Sequence, residues 1–405
     1  MDGTVLGFEE ALALLLNHAG SVKAAEVEEI ALLAAAGRVL AVDVVADRDQ
    51  PPFDRSTRDG FAVRAEELNA GAALEVAGQI RAGEMWTGDV LAAGFTVEIM
   101  TGAPVPAGAD AVVMVEHVER SAGAIRAGRT LKVGDNIVPR GSEARLGQVV
   151  LPEGSFVGAA EVALAAACGQ ESLRVYRRPR VAIVATGDEL VELDQVPGPQ
   201  QIRNSNSYAL AALVAAAGGE SVRLPIAPDQ REAIRAAIEE GRRADLLVLS
   251  GGVSMGQYDL VEEVLGSLGA EFFFTGVRMQ PGKPVVFGRL PATGEFPARF
   301  FFGLPGNPVS TQVTFHVFVE PMIRALCGAG AEGPRFVLAT LAEDVAGKLG
   351  LTRLLPARLV GVEVKLVEWQ GSGDLAANAR ANCYALLPAE REGFRAGEVI
   401  RVLLR

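Results

Sequence analysis

Between residues 180 and 326 short apolar runs and longer amphipathic stretches take turns along the chain. Val181 to Ala185, Val222 to Ile226, Leu246 to Leu249, Glu271 to Val277 and Phe300 to Phe302 have strand length and composition. Tyr208 to Ala217, Gln230 to Glu240 and the residues from Asp259 onward place apolar side chains at helical spacing. A short continuous apolar run predicts a strand buried on both faces, and the regular alternation predicts parallel βαβ units. Elsewhere the pattern differs. Phe8 to His18 and Glu26 to Leu40 read as helices, and helical spacing returns at Val157 to Cys168. Between these, Val97 to Met100 and Ala111 to Met114 are short strand-like runs separated by the turn Thr101 to Asp110. This predicts a β-rich domain inserted into a discontinuous helical one. Alternation in Val360 to Val367 and Val399 to Leu404 predicts a second β-rich unit at the C-terminal end. The expected units are 1–45 with 141–177 (helical), 46–140 (inserted, β-rich), 178–326 (α/β, entered through Arg177-Arg178-Pro179) and 327–405 (β-rich).

Composition narrows the class. With 49% hydrophobic and 22% charged residues the 405-residue chain is a globular protein of several domains, not a disordered one. A net charge of −12 argues against binding to nucleic acid or to a membrane surface. Cys168, Cys327 and Cys383 are far apart, as are His18, His117 and His316, so neither a disulfide framework nor a zinc site is expected. The cysteine usage, the absence of a basic start at Met1-Asp2-Gly3-Thr4 and the absence of a bilayer-length apolar run lead us to expect a cytoplasmic protein.

The chemistry-bearing residues fall at the ends of the α/β strands. Leu246 to Leu249 runs into Ser250-Gly251-Gly252-Val253-Ser254, and the helix after it opens at Asp259. Adjacent glycines turn tightly and leave amides to face an anion. Glu189 in Thr186-Gly187-Asp188-Glu189, Asp229 in Pro228-Asp229, and Lys283 in Gln280-Pro281-Gly282-Lys283-Pro284 are expected on the same edge. Taken alone, Asp229 reads first as a helix N-cap, and Asn204 to Ser207 as capping residues. Asp49 to Val63, with Asp59-Gly60 within it, reads alone as a solvated turn. Three carboxylates favour Mg²⁺ bridging to a phosphate, and lysine suits an oxyanion. No Walker or dinucleotide glycine motif is present. The residues by themselves point to a Mg²⁺-dependent site for a phosphorylated ligand.

At these motifs the chain resembles the molybdopterin molybdenumtransferases, bacterial MoeA and the E domain of gephyrin. The matching stretches are Phe53 to Val63, Thr101 to Pro106, Thr186 to Leu190, Ser250 to Asp259, Pro281 to Pro284, Gly303 to Pro308 and Gln370 to Gly373, in family order. The resemblance implies an elongated four-domain homodimer with a MogA/MoaB-like α/β domain, and a site shared between that domain and the partner's inserted domain. It implies hydrolysis of adenylylated molybdopterin, release of AMP and insertion of molybdate, assisted by Mg²⁺. It assigns catalysis to Asp59, Asp229, Asp259 and Lys283, and metal binding to Glu189, Asp229 and Asp259. It assigns ligand contacts to Thr101, Glu189, Ser250, Gly251, Gly252, Ser254, Pro284, Arg353 and Ser372. Molybdopterin adenylyltransferase and molybdoenzyme-maturation proteins are the implied partners.

Five positions depart from the family pattern, one of them Leu351, which follows Gly350 where an arginine is usual. Arg58 and Phe61 flank Asp59-Gly60 where methionine and tyrosine are usual. Gln280 replaces a lysine, and Pro356 falls where an arginine is expected. The loss of cations predicts weakened oxyanion binding, unless Arg58, Arg353 or Arg358 substitutes. It leaves open a divergent scaffold or partner-binding paralogue, or a tungstate-handling insertase. An adenylyltransferase is disfavoured by the full-length match.

Overall fold

The computed structural model describes residues 4–252 and 260–405. Its centre is a six-stranded sheet. In chain order the strands are β1 (Arg180–Ala185), β2 (Glu220–Arg223), β3 (Leu246–Ser250), β4 (Glu271–Phe274), β5 (Val286–Leu290) and β6 (Arg299–Leu304). They lie in the order β2-β1-β3-β6-β5-β4. The first four of that order are parallel, and β5 and β4 close one edge antiparallel.

Alternate residues of each apolar run serve opposite faces. Val181, Ile183, Leu246, Val248 and Phe302 point into one layer, with helix α2 (Ser205–Ala216) and the residues between Val309 and Ala325. Ala182, Val184, Leu247, Leu249 and Phe301 point into the other, against α3 (Arg231–Gly241) and α4 (Leu260–Ser267). Burial on both faces is why these strands lack polar alternation.

The N-terminal helix, Phe8–Ser21, joins this core rather than a helical domain. Phe8, Leu12, Leu15 and Ala19 pack with Phe274, Phe318 and Met322, and His18 stacks on Phe273 at 3.9 Å between centroids. The helix expected over Glu26 to Leu40 is instead a strand, Val27–Ala31, followed by a short 3-10 turn, Leu32–Ala35. The strand pairs antiparallel with Ser172–Tyr176. The surrounding unit, from 27–46 and 144–175, is therefore largely strands and turns around Leu40, Val44, Val157, Ala165 and Val175, with one helix, Ala159–Ala167.

Residues between 60 and 127 build their own six-stranded sheet. Gly60–Val63 lies between Ala111–Met114 and Phe95–Ile99, followed by Leu74–Ile80, Ala124–Ala127 and Val118–Ser121. A second separate sheet holds Phe336–Leu341, Thr352–Val360, Glu363–Leu366, Cys383–Leu387 and Val399–Leu404. It takes one short strand from the α/β unit, because Met279–Gln280 pairs with Thr352 and Arg353. No helix among the described residues is long and apolar enough to cross a membrane.

Candidate functional site

The parallel strands β1, β3 and β6 end on one edge, and a cleft of about 580 Å³ opens there. Its floor is a glycine turn. Gly251 and Gly252 have φ of 92° and 64°, and a Cβ on Gly251 would sit 2.5 Å from the Thr186 carbonyl oxygen. Only glycine lets the turns after β1 and β3 approach this closely. Ser250 is buried, and its hydroxyl accepts a bond from Asn206 Nδ2 at 3.0 Å; the same amide reaches the Gly306 carbonyl at 2.7 Å. Asn206 thereby ties α2 to the turns after β3 and β6.

One wall is acidic. Glu189 and Asp229 both line the cleft. Asp229 is not the cap of α3, a position held by Gln230; its amide donates instead to Asp188 Oδ1 at 3.0 Å. Burial pushes the Asp229 carboxyl above its ordinary value, and the negative charges of Asp188 and Glu189 add to the effect. Asp188 thus acts on Asp229 from beside the cleft, a role that the sequence offered no reason to assign it.

The start of α2 lines the same cleft, beside the Glu189 segment. Ile202–Arg203 runs parallel to Leu190–Val191, with Arg203 opposite Val191, and Asn204 then caps the helix by accepting from the Ser207 amide at 3.2 Å. Arg203, Ser205 and Asn206 face the cleft. The capping reading of Asn204 holds, yet the residues beside it line the cavity too.

The remaining sequence candidates are spread out. Pro284 lines the cleft; Lys283, next to it, is exposed and has no ion pair among the described residues. Gly373 lines the cleft, and the carbonyl of its half-buried neighbour Ser372 accepts from the Val309 amide at 2.9 Å. Arg353 is opposite Gln280 in the strand pairing, and its Nη1 donates to the Ala346 carbonyl at 2.7 Å. Pro356 is buried, paired with Tyr384. Asp59 and Thr101 are both exposed on the inserted sheet, bonded to each other, and do not line this cleft. Asp259 and Ser254 lie outside the described residues. Among the described residues no group of three or more acidic, histidine or cysteine side chains forms a metal-binding cluster.

The middle of the chain, residues 182–325, matches the family described as probable molybdopterin binding domain. It is flanked by a match to the MoeA N-terminal region (domain I and II) over 6–169 and to the MoeA C-terminal region (domain IV) over 339–404. A molybdopterin molybdenumtransferase of Staphylococcus aureus strain COL is 32% identical over 409 residues, covering 98% of this chain and 94% of its own. One from a Nostoc species is 41% identical over 309 residues, covering 75% of this chain and 70% of its own. Among solved structures, a molybdopterin biosynthesis moeA protein from Pyrococcus horikoshii OT3 superposes with a TM-score of 0.82 at 29% identity, covering 99% of this chain and 100% of that one. The architecture is that of a multidomain α/β enzyme built around a molybdopterin-binding type of domain. The chain belongs to the molybdopterin molybdenumtransferase family.

Proposed function

We propose that this chain is the molybdenum insertase of molybdenum cofactor biosynthesis. It takes adenylylated molybdopterin, hydrolyses the phosphoanhydride so that AMP leaves, and places molybdate on the dithiolene. The observation that carries this reading is the cleft's make-up: carboxylates, a glycine turn and a helix start line one cavity, in a chain matched to the family along nearly its whole length. Such a cleft suits a phosphorylated ligand at the carboxyl edge of a parallel sheet.

Mg²⁺ fits the acidic wall. It is bound through hard oxygens, often one or two carboxylates plus substrate phosphates, so it needs no closed cage of protein ligands. Glu189 and Asp229 would hold it, together with Asp259. When bound it would supply positive charge against the phosphate oxygens. The crowding that raises Asp229 would then be relieved.

Asp59 and Thr101 stand on a separate sheet, away from the cleft. We therefore read the working unit as a homodimer in which one chain's Asp59 turn completes the partner's cleft. Complementation of an insertase-deficient strain, read as molybdoenzyme activity, tests the function. Wild type should restore activity, and Asp59→Ala and Asp229→Ala should each fail. Mixing those two dead variants should recover part of the activity, since some mixed dimers carry one intact site. No recovery on mixing would overturn the shared site.

A further inference from the structure

Glu189 and Asp229 make the cleft acidic on the side where they line it. Among the described residues that line the cleft, Arg203 is the cation, and it is exposed. Its guanidinium forms no ion pair or hydrogen bond among the described residues. Its backbone is well held. Ile202 N–H donates to the Glu189 carbonyl at 2.9 Å and Asn204 N–H to the Val191 carbonyl at 2.9 Å, so Arg203 sits between two fixed points. Immediately after it, the first turn of α2 presents amides that have no partner within the helix. Thr186 also lines the cleft; it is 2% exposed, and its hydroxyl has no hydrogen-bond partner among the described residues. That hydroxyl lies against the glycine turn, where a Cβ on Gly252 would come within 2.7 Å of it. A buried orphan hydroxyl is costly unless something bonds it.

We propose that Arg203 recognises a phosphate of the substrate, with the first-turn amides of α2 and the Thr186 hydroxyl as its companions. The ligand class is a phosphate ester or phosphoanhydride, and the assignment rests on the insertase reading above. Arginine offers a planar fork that binds two phosphate oxygens at once, which lysine cannot copy. In the same cleft Arg203 takes the phosphate, and Glu189 and Asp229 would hold the Mg²⁺ that offsets its charge.

The test is calorimetric binding of AMP, with adenosine as the phosphate-free control, to full-length wild type, Arg203→Lys and Arg203→Ala without Mg²⁺. Arg203→Ala should weaken AMP binding about 10- to 100-fold, the size of a bidentate charge-assisted contact. Arg203→Lys should fall between, and the loss should shrink as salt rises. Adenosine binding should be the same in all three. The side chain is exposed, so all three should melt alike. Equal AMP affinity in wild type and Arg203→Ala would overturn the inference while leaving the insertase reading intact. So would an equal loss of adenosine binding, or no AMP binding by a wild type that still restores molybdoenzyme activity. A wild type that neither binds AMP nor restores activity would overturn both.

Discussion

Asp59 Oδ1 accepts two hydrogen bonds from Thr101, one from its amide at 2.6 Å and one from its hydroxyl at 2.8 Å. The amide bond first, and the hydroxyl second, hold the carboxyl below its ordinary value of 3.8. A depressed acid stabilises the fold above the ordinary value, and that contribution is lost as pH falls through the lowered one. Asp59 should therefore stay ionised throughout the working pH range. In a carboxyl-detected NMR titration its midpoint should lie below 3.8 and move upward in Thr101→Val. A midpoint unmoved by that change would mean that the hydroxyl contributes nothing.

The next residue separates structure from chemistry. A Cβ on Gly60 would sit 1.9 Å from the Val113 carbonyl oxygen, in the strand beside it. Gly60→Ala should destabilise the inserted sheet by about 1–3 kcal/mol, as overpacking does. Asp59→Ala removes an exposed side chain and its two bonds to Thr101, and its melting temperature should fall clearly less than that of Gly60→Ala while activity is lost. Thermal melts of the two variants side by side check this. Equal losses of stability would return the Asp59 turn to a purely structural role.

Asp229 behaves in the opposite sense to Asp59. Its folded value is raised, by burial first and by Asp188 and Glu189 after it. The folded state then holds a proton that the unfolded chain has released. That contribution is present below the ordinary value of 3.8 and lost as pH rises through the raised value. The difference in melting temperature between wild type and Asp229→Asn should thus change sign-favourably for the variant as pH rises across that window. At neutral pH, Mg²⁺ should raise the wild-type melting temperature more than that of Asp229→Asn. An equal Mg²⁺ response would remove Asp229 from the metal site.

Gln280 and Arg353 face each other across one strand pairing, a spacing of about 4.8 Å. A lysine restored at 280 would stand beside an existing guanidinium and be repelled by it. Gln280→Lys alone should therefore gain less molybdate affinity than the ~5- to 30-fold expected for a cation added to an uncharged neighbourhood. In an Arg353→Ala background the same change should give the larger gain. Molybdate dependence of an insertion assay, run with both backgrounds, decides it. The same gain in both would show that the two positions act independently.

How far the sequence could be read depended on how local each cause was. Leu246 to Leu249 is apolar throughout because both faces of β3 are covered, and that shows in any short window. Asn204 caps α2 through a bond only three residues long. Gly251 and Gly252 were legible as a turn for the same reason, although their closeness to Thr186 was not.

The tertiary structure decided the rest. Val27–Ala31 has alternatives within reach of helix propensity, and what makes it a strand is Ser172–Tyr176, far along the chain. Phe8–Ser21 is a helix by its own pattern, but Phe274, Phe318 and Met322 determine that it belongs to the α/β core. Met279–Gln280 joins the C-terminal sheet only because Thr352 and Arg353 are there to pair with it. Arg203 is an ordinary arginine until the pairing of Ile202–Arg203 with Leu190–Val191 sets it on the cleft wall. Strand partners, helix docking and the far wall of a cleft are long-range contacts, and local side-chain patterns carry no record of which distant segment will supply them.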